Sequence, residues 1–265
     1  MISILIPARN EPYLQRTVDD IFMHAEGDIE VLVGLDGYLE HKKPRLVVDS
    51  KYPLTVHAFM SSIGQRAMTN KLAKRAKGKY IMKLDAHCSL QQGFDTQMVK
   101  DMEDNMVMTG LLCRLDAKNW NIIPKPFTKR YHFNTDMVFQ YDKHQEEKET
   151  LVETMALQGS MFMVERENYW KWNLCDEKYG SWGFQGAETA CKTWFNGGRV
   201  VTNKNVFYGH MFRVENIPYK RTKKEVEQAR KCAKELLKHP KMPELIKKFN
   251  YPGDWTPLKV EDLCK

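Results

Sequence analysis

The sequence lacks any apolar run long enough to cross a membrane. A spanning helix needs about 20 consecutive, predominantly apolar residues, and none occurs among the 265 residues. A basic stretch followed by an apolar one is also missing at the N-terminus, where "SILIPARNE" follows almost directly on Met1. No secretory signal is therefore predicted. We expect a protein without a membrane span that stays in the compartment where it is made.

Paired cysteines are a second absence. The chain has six cysteines, but no CxxC pair and no Cys/His series with zinc-finger spacing. A disulfide-stapled scaffold and a structural zinc site are thus not predicted. We interpret the thiols as free cysteines of a reducing cytoplasm. They are Cys88, Cys113, Cys175, Cys191, Cys232 and Cys264.

Positive charge is concentrated in one part of the chain. The 41 Lys and Arg residues exceed the 34 Asp and Glu residues, for a net charge of +7. Residues 218–250 contain 11 basic and 4 acidic residues, which is the whole excess. Such a segment can dock on a polyanion, or it can be a solvated helix with Glu/Lys pairs at i,i+4. The sequence leaves both possibilities open.

The first 90 residues alternate between strand and helix patterns. "ISILIP", "IEVLVGLD", "LTVHAFM" and "KYIMKLD" are short apolar runs typical of strands. Between them, "EPYLQRTVDDIFMHA" has helical spacing, and "GQRAMTNKLAKRAKG" predicts a helix that ends at Gly78. This order predicts an α/β fold with a mostly parallel central sheet flanked by helices. Ligands bind such sheets at the carboxyl ends of the strands, where Asp36 and Asp85 lie.

The rest of the chain is less regular. Residues 113–153 have no clean period and predict loops or antiparallel strands at the sheet edge. "ALQGSMFMVERENYW" predicts a strand followed by a helix, and "AETACKTWFNGGRVV" predicts a helix, a stop at Gly197–Gly198 and a strand. We expect a catalytic domain over residues 1–217. A basic helical extension over residues 218–265 would pack on it.

A short polar motif, "KLDAHC", follows the fourth predicted strand. If the strand continues through His87, the side chains of Asp85 and His87 lie on one face of it. A carboxylate and an imidazole suit a borderline divalent ion such as Mn²⁺. Such an ion can neutralise the charge of a nucleoside diphosphate leaving group. The alternative is a capping aspartate beside an incidental histidine.

Four segments resemble the catalytic core of the polypeptide N-acetylgalactosaminyltransferases, within family 2 of the nucleotide-sugar glycosyltransferases. The segment "GKYIMKLDAHCSLQQGF" is similar to their metal-binding segment, and "WGFQGAETACKTWFNGG" to their Trp-Gly-Gly-Glu-Asn segment. "YGHMFR" resembles their Gly-His-Val-Phe-Arg, and "SILIPARNE" their opening strand and Asn-Glu turn. The resemblance covers residues 2–213 with gaps, and the segments occur in the family's order.

The resemblance implies a GT-A fold, a UDP-sugar donor and a metal cofactor, Mn²⁺ or Mg²⁺. It implies metal ligands at Asp85, His87 and His210, although a lone His after Gly is more often structural. Arg213 would offer positive charge to the diphosphate, and Trp182 would lie on a mobile lid; a surface Arg and a core Trp are the alternatives. The residues implied for nucleotide binding are Pro7, Arg9, Asn10, Glu11, Asp36, Gly64, Asp85 and Gly159.

The chain also departs from the family pattern. Gln185 stands where the family has its first Glu of this segment, and an amide cannot act as a base. Glu188 aligns with the second Glu and is our candidate acid at the sugar or acceptor hydroxyls, with a helix-surface position as the alternative. Ser160 replaces the second Gly of a Gly-Gly pair, which would narrow the sugar pocket or add a hydrogen bond. No counterpart of the family's membrane anchor, stem or lectin domain is recognisable, which favours a cytoplasmic enzyme of a bacterial cell or a virus-infected host.

The resemblance implies metal-dependent transfer of GalNAc, GlcNAc or a hexose from a UDP-sugar to an acceptor hydroxyl, with retention at the anomeric carbon. The acceptor would be a protein, a glycan or a hydroxylated base in DNA, and the basic C-terminal segment motivates the DNA alternative. A nucleotidyltransferase is disfavoured because "PARNEPY" contains no Gly. A non-catalytic nucleotide-sugar-binding module is the remaining alternative.

Overall fold

A ten-stranded mixed sheet forms the centre of the protein. The computed structural model describes residues 1–38, 44, 46–47, 50–142, 148–213, 219 and 222–250. Its strands are β1 (Ile2–Ala8), β2 (Ile29–Asp36), β3 (Leu54–Phe59), β4 (Tyr80–Leu84), β5 (Cys88–Leu90), β6 (Met106–Asp116), β7 (Asn121–Ile123), β8 (Tyr131–Phe133), β9 (Phe139–Tyr141), β10 (Leu151–Glu153), β11 (Met161–Glu165) and β12 (Arg199–His210). Its helices are α1 (Leu14–His24), α2 (Gln65–Ala73), α3 (Phe94–Lys100), α4 (Arg166–Lys171), α5 (Gln185–Phe195), α6 (Lys223–Glu235) and α7 (Met242–Phe249).

One half of the sheet is parallel, in the order β4-β1-β2-β3. Every residue of β2 is buried, because α1 packs on one face of the sheet and α2 on the other. The alternation within β1 divides its side chains between these faces. Ile4 joins the core cluster that contains α1, whereas Leu5 joins the cluster that contains Met68 of α2. The predicted α/β class and the mostly parallel sheet are confirmed.

The other half of the sheet is mixed. β11 lies antiparallel between β4 and β6, and β12 runs parallel to β6. The direction of the chain reverses twice between β4 and β6, so β12 and β4 point the same way. The carboxyl ends of β1, β2, β4 and β12 therefore lie at one edge. The described residues 113–142 and 148–153 include the second predicted alternative, antiparallel strands: the end of β6, β7, the hairpin β8–β9 and β10.

α2 ends five residues earlier than the sequence predicts. The helix stops at Ala73 rather than at Gly78. The amides of Lys77 and Gly78 are instead bound by side chains of the neighbouring strands, Glu30 at 2.6 Å and Ser3 at 2.8 Å. A Cβ at Gly78 would lie 2.8 Å from the Ser3 nitrogen. Glycine at this position thus serves a close backbone approach, not a helix cap.

The basic C-terminal segment forms α6 and α7 on the sheet body. Ala229 and Ala233 of α6 and Phe249 of α7 are buried in the core. Several of its lysines form ion pairs, including Lys234 with Asp136 and Lys248 with Glu153. The predicted boundary between residues 217 and 218 lies outside the described residues, as does the segment 251–265. The division into a domain and an extension stays a prediction.

The described residues contain five of the six cysteines and all of the helices named above. Cys88, Cys113, Cys175, Cys191 and Cys232 are free thiols, and Cys264 lies outside the described residues. Among the helices of the described chain, none has the length and apolarity needed to cross a bilayer.

Candidate active site

An open cleft lies at the carboxyl-end edge of the sheet. The empty space in it, including the part open to solvent, is about 660 Å³. Its walls come from the ends of β1, β2 and β4, the start of α2 and the segment that precedes α5. The lining residues are Pro7, Ala8, Arg9, Glu11, Asp36, Gly64, Gln65, Asp85, Ala86, His87, Ser181, Trp182 and Tyr219.

Asp36, at the end of β2, fixes one wall of this cleft. Its carboxylate accepts hydrogen bonds from the Ser62 hydroxyl at 2.7 Å and from the amides of Ile63 and Gly64 at 2.7 and 3.1 Å. These bonds hold the loop that leads into α2. Most of the acceptor capacity of the Asp36 carboxylate thus serves this loop. The contact between Asp36 and uridine stays a prediction.

Gly64 brings that loop against the segment that carries Trp182. Its φ is +87°, and a Cβ there would lie 2.6 Å from the Cβ of Ser181. The amide of Gln65 donates to the Ser181 carbonyl at 3.1 Å, which ties the two segments together. A side chain at position 64 would thus displace residues 181–182 from the cleft.

Gly64→Ala is expected to lower donor turnover and to destabilise the fold by about 1–3 kcal/mol, from backbone strain combined with the clash. Gly197→Ala is the matched control, because Gly197 has a similar φ of +79° but no atom within 4 Å of an added Cβ. We expect Gly197→Ala to lose stability only and to keep its turnover. Urea unfolding and steady-state kinetics measure the two effects, and equal turnover in both variants would contradict the role given to Gly64.

Asp85, His87 and His210 converge beside the cleft. One ligand atom from each lies within 4.8 Å of the other two. The sequence predicted that Asp85 and His87 lie on one face of a continuing strand. Instead, β4 ends at Leu84, and residues 85–87 form a turn into β5. β5 pairs antiparallel with β12, with Cys88 opposite His210. This pairing places His87 next to His210, with their ring centroids 4.8 Å apart.

The three side chains fit a divalent cation. His210 is 5% exposed, and neither of its ring nitrogens has a hydrogen-bond partner in the described part of the chain. Burial lowers the pKa of His210 to about 4 against the opposing effect of Asp85, so its imidazole is neutral at pH 7. A buried polar atom without a partner is costly unless an ion or water satisfies it. A neutral imidazole has the free electron pair that a metal requires.

The Asp85 carboxylate is held in its ionised form. Burial alone would raise its pKa, but the positive charge of Lys83 and the nearby imidazoles of His210 and His87 lower it well below the usual range. Gln65 also donates to Oδ1, at 3.3 Å. The other oxygen, Oδ2, lies 3.4 Å from Nε2 of His210. A charged carboxylate oxygen therefore faces the two imidazoles.

Glu11 orients two of the predicted site residues. Nδ1 of His87 lies 2.9 Å from its Oε2, and Arg213 binds it in a bidentate manner, at 2.7 and 2.5 Å. Burial opposes ionisation of Glu11, but these hydrogen bonds outweigh it and lower its pKa below the ordinary value. With Nδ1–H donating to Glu11, Nε2 of His87 is the nitrogen left for a metal.

Glu11→Gln is expected to lower affinity for Mn²⁺ about 10- to 100-fold, the usual effect of losing the carboxylate behind a metal-binding histidine. Isothermal titration with Mn²⁺ measures it. Glu30→Gln is the control, because Glu30 is an equally buried strand acid that binds Ser3 and Lys77 instead. Affinity that falls as much in Glu30→Gln as in Glu11→Gln would show a general effect of losing a buried charge.

Glu188 does not line the cleft, contrary to the role expected for it at the sugar. Its side chain is fully buried in α5, where Oε2 accepts from Nε of Arg66 at 2.9 Å. Oε1 accepts from the Asp176 amide at 2.8 Å and from Lys192 at 2.9 Å. The helix-surface alternative is also wrong, because Glu188 faces inward. The structure assigns this carboxylate to an internal ion-pair network.

Arg66 connects that network to the lid segment. Its guanidinium donates to the carbonyls of Gly180 and Gly183, at 3.3 and 2.6 Å, and lies over the ring of Tyr179. These two carbonyls flank Trp182, whose side chain is 38% exposed and lines the cleft. The core-packing alternative for Trp182 is therefore not what the structure shows.

Three further predicted residues are not among those that line the cleft. Asn10 adopts a φ of +52° in the turn after β1, the guanidinium of Arg213 is engaged by Glu11, and the Gly159 carbonyl accepts from Lys83 at 2.6 Å. Ser160 does not narrow the cleft, since its buried hydroxyl is bonded to that of Tyr208 at 2.9 Å.

Sequence reasoning missed Gln65, Ser181 and Tyr219 in the cleft and Lys83 beneath it. Only Lys83 carried a signal, as a charged residue within the apolar run "YIMKL".

Comparison with known proteins identifies the family. The family model for glycosyl transferase family 2 matches residues 3–172. The chain belongs to glycosyl transferase family 2, and the resemblance seen in the sequence is confirmed at this level.

The curated relatives are N-acetylgalactosaminyltransferases. The chain is 25% identical over 150 residues to the putative polypeptide N-acetylgalactosaminyltransferase 13 of Drosophila melanogaster, covering 54% of this chain and 27% of the relative. It is 25% identical over 158 residues to N-acetylgalactosaminyltransferase 7 of Homo sapiens, covering 54% of this chain and 24% of the relative. The chain spans about a quarter of the length of the curated relatives it matches.

Solved structures confirm the GT-A fold. The crystal structure of GalNAc-T7 with UDP, GalNAc and Mn²⁺ matches with a TM-score of 0.72 at 20% identity, covering 90% of this chain and 48% of that one. Residues 1–349 of S. aureus TarS in complex with UDP-GlcNAc match with a TM-score of 0.61 at 13% identity, covering 92% and 69%.

Proposed function

We propose that the protein is a divalent-metal-dependent glycosyltransferase that moves a sugar from a UDP-sugar to an acceptor hydroxyl. The observation that carries this proposal is the convergence of Asp85, His87 and the buried His210 at one edge of the cleft, with no hydrogen bond to the His210 ring among the described residues. Family membership supports the reaction class. Two structural neighbours support a UDP-sugar donor. GalNAc-T7 was solved with UDP, GalNAc and Mn²⁺, and TarS with UDP-GlcNAc.

Each part of the cleft has a role in this proposal. Asp85, His87 and His210 would hold Mn²⁺ or Mg²⁺, which when bound neutralises the negative charge of the diphosphate leaving group. Arg9 lines the cleft beside the N-terminus of α2, and both favour an anionic ligand. Arg213 keeps N–H groups beyond the two that Glu11 accepts, since a guanidinium has five donors. Trp182 covers the cleft from the side of α5.

Retention of configuration is part of the proposal. Among the residues lining the cleft, the carboxylates belong to Glu11, Asp36 and Asp85. Each is committed elsewhere: Glu11 to Arg213, Asp36 to the loop before α2, and Asp85 to the metal-binding cluster. This supports displacement on one face of the sugar without a covalent carboxylate intermediate. The departing phosphate oxygen would take the proton of the acceptor hydroxyl.

The donor is identified by incubating the protein with UDP-GalNAc, UDP-GlcNAc, UDP-glucose and UDP-galactose in the presence of Mn²⁺ and measuring release of UDP. We expect release from one or two donors, abolished by a chelator and restored by Mn²⁺. Release that a chelator leaves unchanged would overturn the metal dependence. Binding of UDP without release from any donor would favour the non-catalytic binding module.

The acceptor is tested with the preferred donor. We propose a hydroxyl on a protein, a glycan or a hydroxylated base in DNA, met in the cytoplasm of a bacterial or virus-infected cell. A DNA acceptor requires transfer to hydroxymethylated duplexes that falls steeply with salt, as phosphate contacts do. Transfer to peptides or glycans with little salt dependence would exclude it. NMR of the product gives the anomeric configuration.

A further inference from the structure

A buried lysine lies directly beneath the predicted metal site. The side chain of Lys83, in the middle of β4, is completely buried. Its neighbours in the sheet are Leu5 of β1 and Phe162 of β11. The ammonium donates to Oδ1 of Asp85 and, at 2.6 Å, to the carbonyl of Gly159. The charge of one metal-binding carboxylate is thus matched from inside the protein.

Packing within the apolar sheet does not account for this ammonium, although its removal alone would leave the Asp85 carboxylate without this ion pair. Removing an ammonium from water costs several kcal/mol, and replacing a buried ion pair by apolar side chains is often neutral or stabilising. The other strand residues of β4 are apolar and completely or almost completely buried. A methionine or leucine at position 83 would fit that pattern. We therefore expect Lys83 to affect the charge of the site formed by Asp85 and the two histidines.

The charges around the cluster sum to almost nothing. Asp85 carries one negative charge, and the Lys83 ammonium, in direct contact with its Oδ1, offsets it. Glu11 behind His87 is offset by Arg213. A divalent cation that arrives alone meets two imidazoles and a carboxylate whose charge is already compensated. A nucleoside diphosphate brings the missing negative charge, and it would lie in the cleft that these residues border.

We propose that Lys83 makes binding of the divalent ion conditional on binding of the nucleoside diphosphate. Lys83 acts as a positioning residue: it holds Oδ1 of Asp85, leaves Oδ2 towards the histidines, and weakens the attraction of the empty cleft for a lone cation. The metal and the diphosphate then bind cooperatively, each raising the affinity for the other by the same factor. This inference rests on the function proposed above, because it requires both ligands to occupy the cleft.

The test measures Mn²⁺ affinity rather than turnover. The concentration of free Mn²⁺ is followed by electron paramagnetic resonance, with and without saturating UDP. We compare the wild-type protein, Lys83→Met and Lys79→Met. Lys79 immediately precedes the same strand at its far end, where its 63% exposed side chain pairs with Glu165. Its replacement removes the same charge without touching the cleft. Lys83→Gln is the second variant, since its amide can still donate to the Gly159 carbonyl.

In the wild type we expect UDP to tighten Mn²⁺ binding by about tenfold or more. Lys83→Met is expected to bind Mn²⁺ alone about tenfold more tightly than the wild type, because a nearby positive charge has been removed. In this variant, UDP should increase the affinity for Mn²⁺ by a smaller factor than in the wild type. Lys83→Gln should follow Lys83→Met, and Lys79→Met should behave as the wild type.

Two results would overturn the inference, and they are distinguishable. Folded Lys83 variants that bind Mn²⁺ alone no more tightly than the wild type, while Asp85→Ala abolishes binding, would leave the metal site intact and remove the role given to Lys83. No binding of Mn²⁺ by the wild type, with or without UDP, would remove the proposed function itself and this inference with it.

Discussion

Asp85→Asn is expected to lower metal-dependent turnover of the UDP-sugar at least about a hundredfold. Asp85 supplies the one carboxylate of the predicted metal-binding cluster. A bound metal contributes several kcal/mol to stabilising charge on a leaving group, and each 1.36 kcal/mol corresponds to a factor of ten in rate. Asparagine keeps the size of the side chain, so the loss reports the charge.

Initial rates of UDP release over a range of Mn²⁺ concentrations measure this effect. Asp95→Asn is the control, because Asp95 is a buried aspartate whose carboxylate accepts from the amides of Glu26 and Gly27, away from the cleft. Asp95→Asn should lose stability and keep its dependence on Mn²⁺. Asp85→Asn that retains wild-type turnover with an unchanged Mn²⁺ dependence would contradict the assignment of Asp85 as a ligand.

The parallel half of the sheet is predictable from the sequence because its signals are local. Short β-branched runs alternate with helical periods, and chain direction alone then places Asp36 and Asp85 at one edge. The turn at residues 85–87 was not predictable in this way. Its geometry depends on the pairing of β5 with β12, more than a hundred residues further along the chain. The convergence of Asp85 and His87 was anticipated, but for the wrong reason.

The interactions that hold the site in place were not predictable, because they join residues far apart in the chain. Glu11 binds His87 and Arg213 across 76 and 202 positions, and no local pattern marks such partners. Glu188 illustrates the same limit. Its place in a family-like motif suggested contact with the sugar, whereas its partner Arg66, 122 positions away, directs it inward.

Arg66→Met is expected to destabilise the protein by about 3–5 kcal/mol, the usual effect of removing one partner of a buried ion pair. Arg66 and Glu188 are both fully buried. Within the described residues, the carboxylate left behind would keep Lys192 alone as an ion-pair partner. Urea unfolding measures the loss. Lys79→Met, which breaks a largely exposed pair with Glu165, should leave the urea midpoint almost unchanged, because exposed ion pairs contribute little to stability.

The double variant Arg66→Met/Glu188→Gln separates a structural from a catalytic role for Glu188. If the two residues stabilise one another, the double variant loses less stability than the two single variants together. Glu188→Gln alone should then unfold at lower urea, and in its folded state its turnover should fall far less than that of Asp85→Asn. A catalytic Glu188 predicts the reverse: near-normal stability with turnover lost. Arg66 also binds the carbonyls that flank Trp182. We therefore expect loss of the Arg66–Glu188 pair to lower turnover as well, but less than Asp85→Asn does.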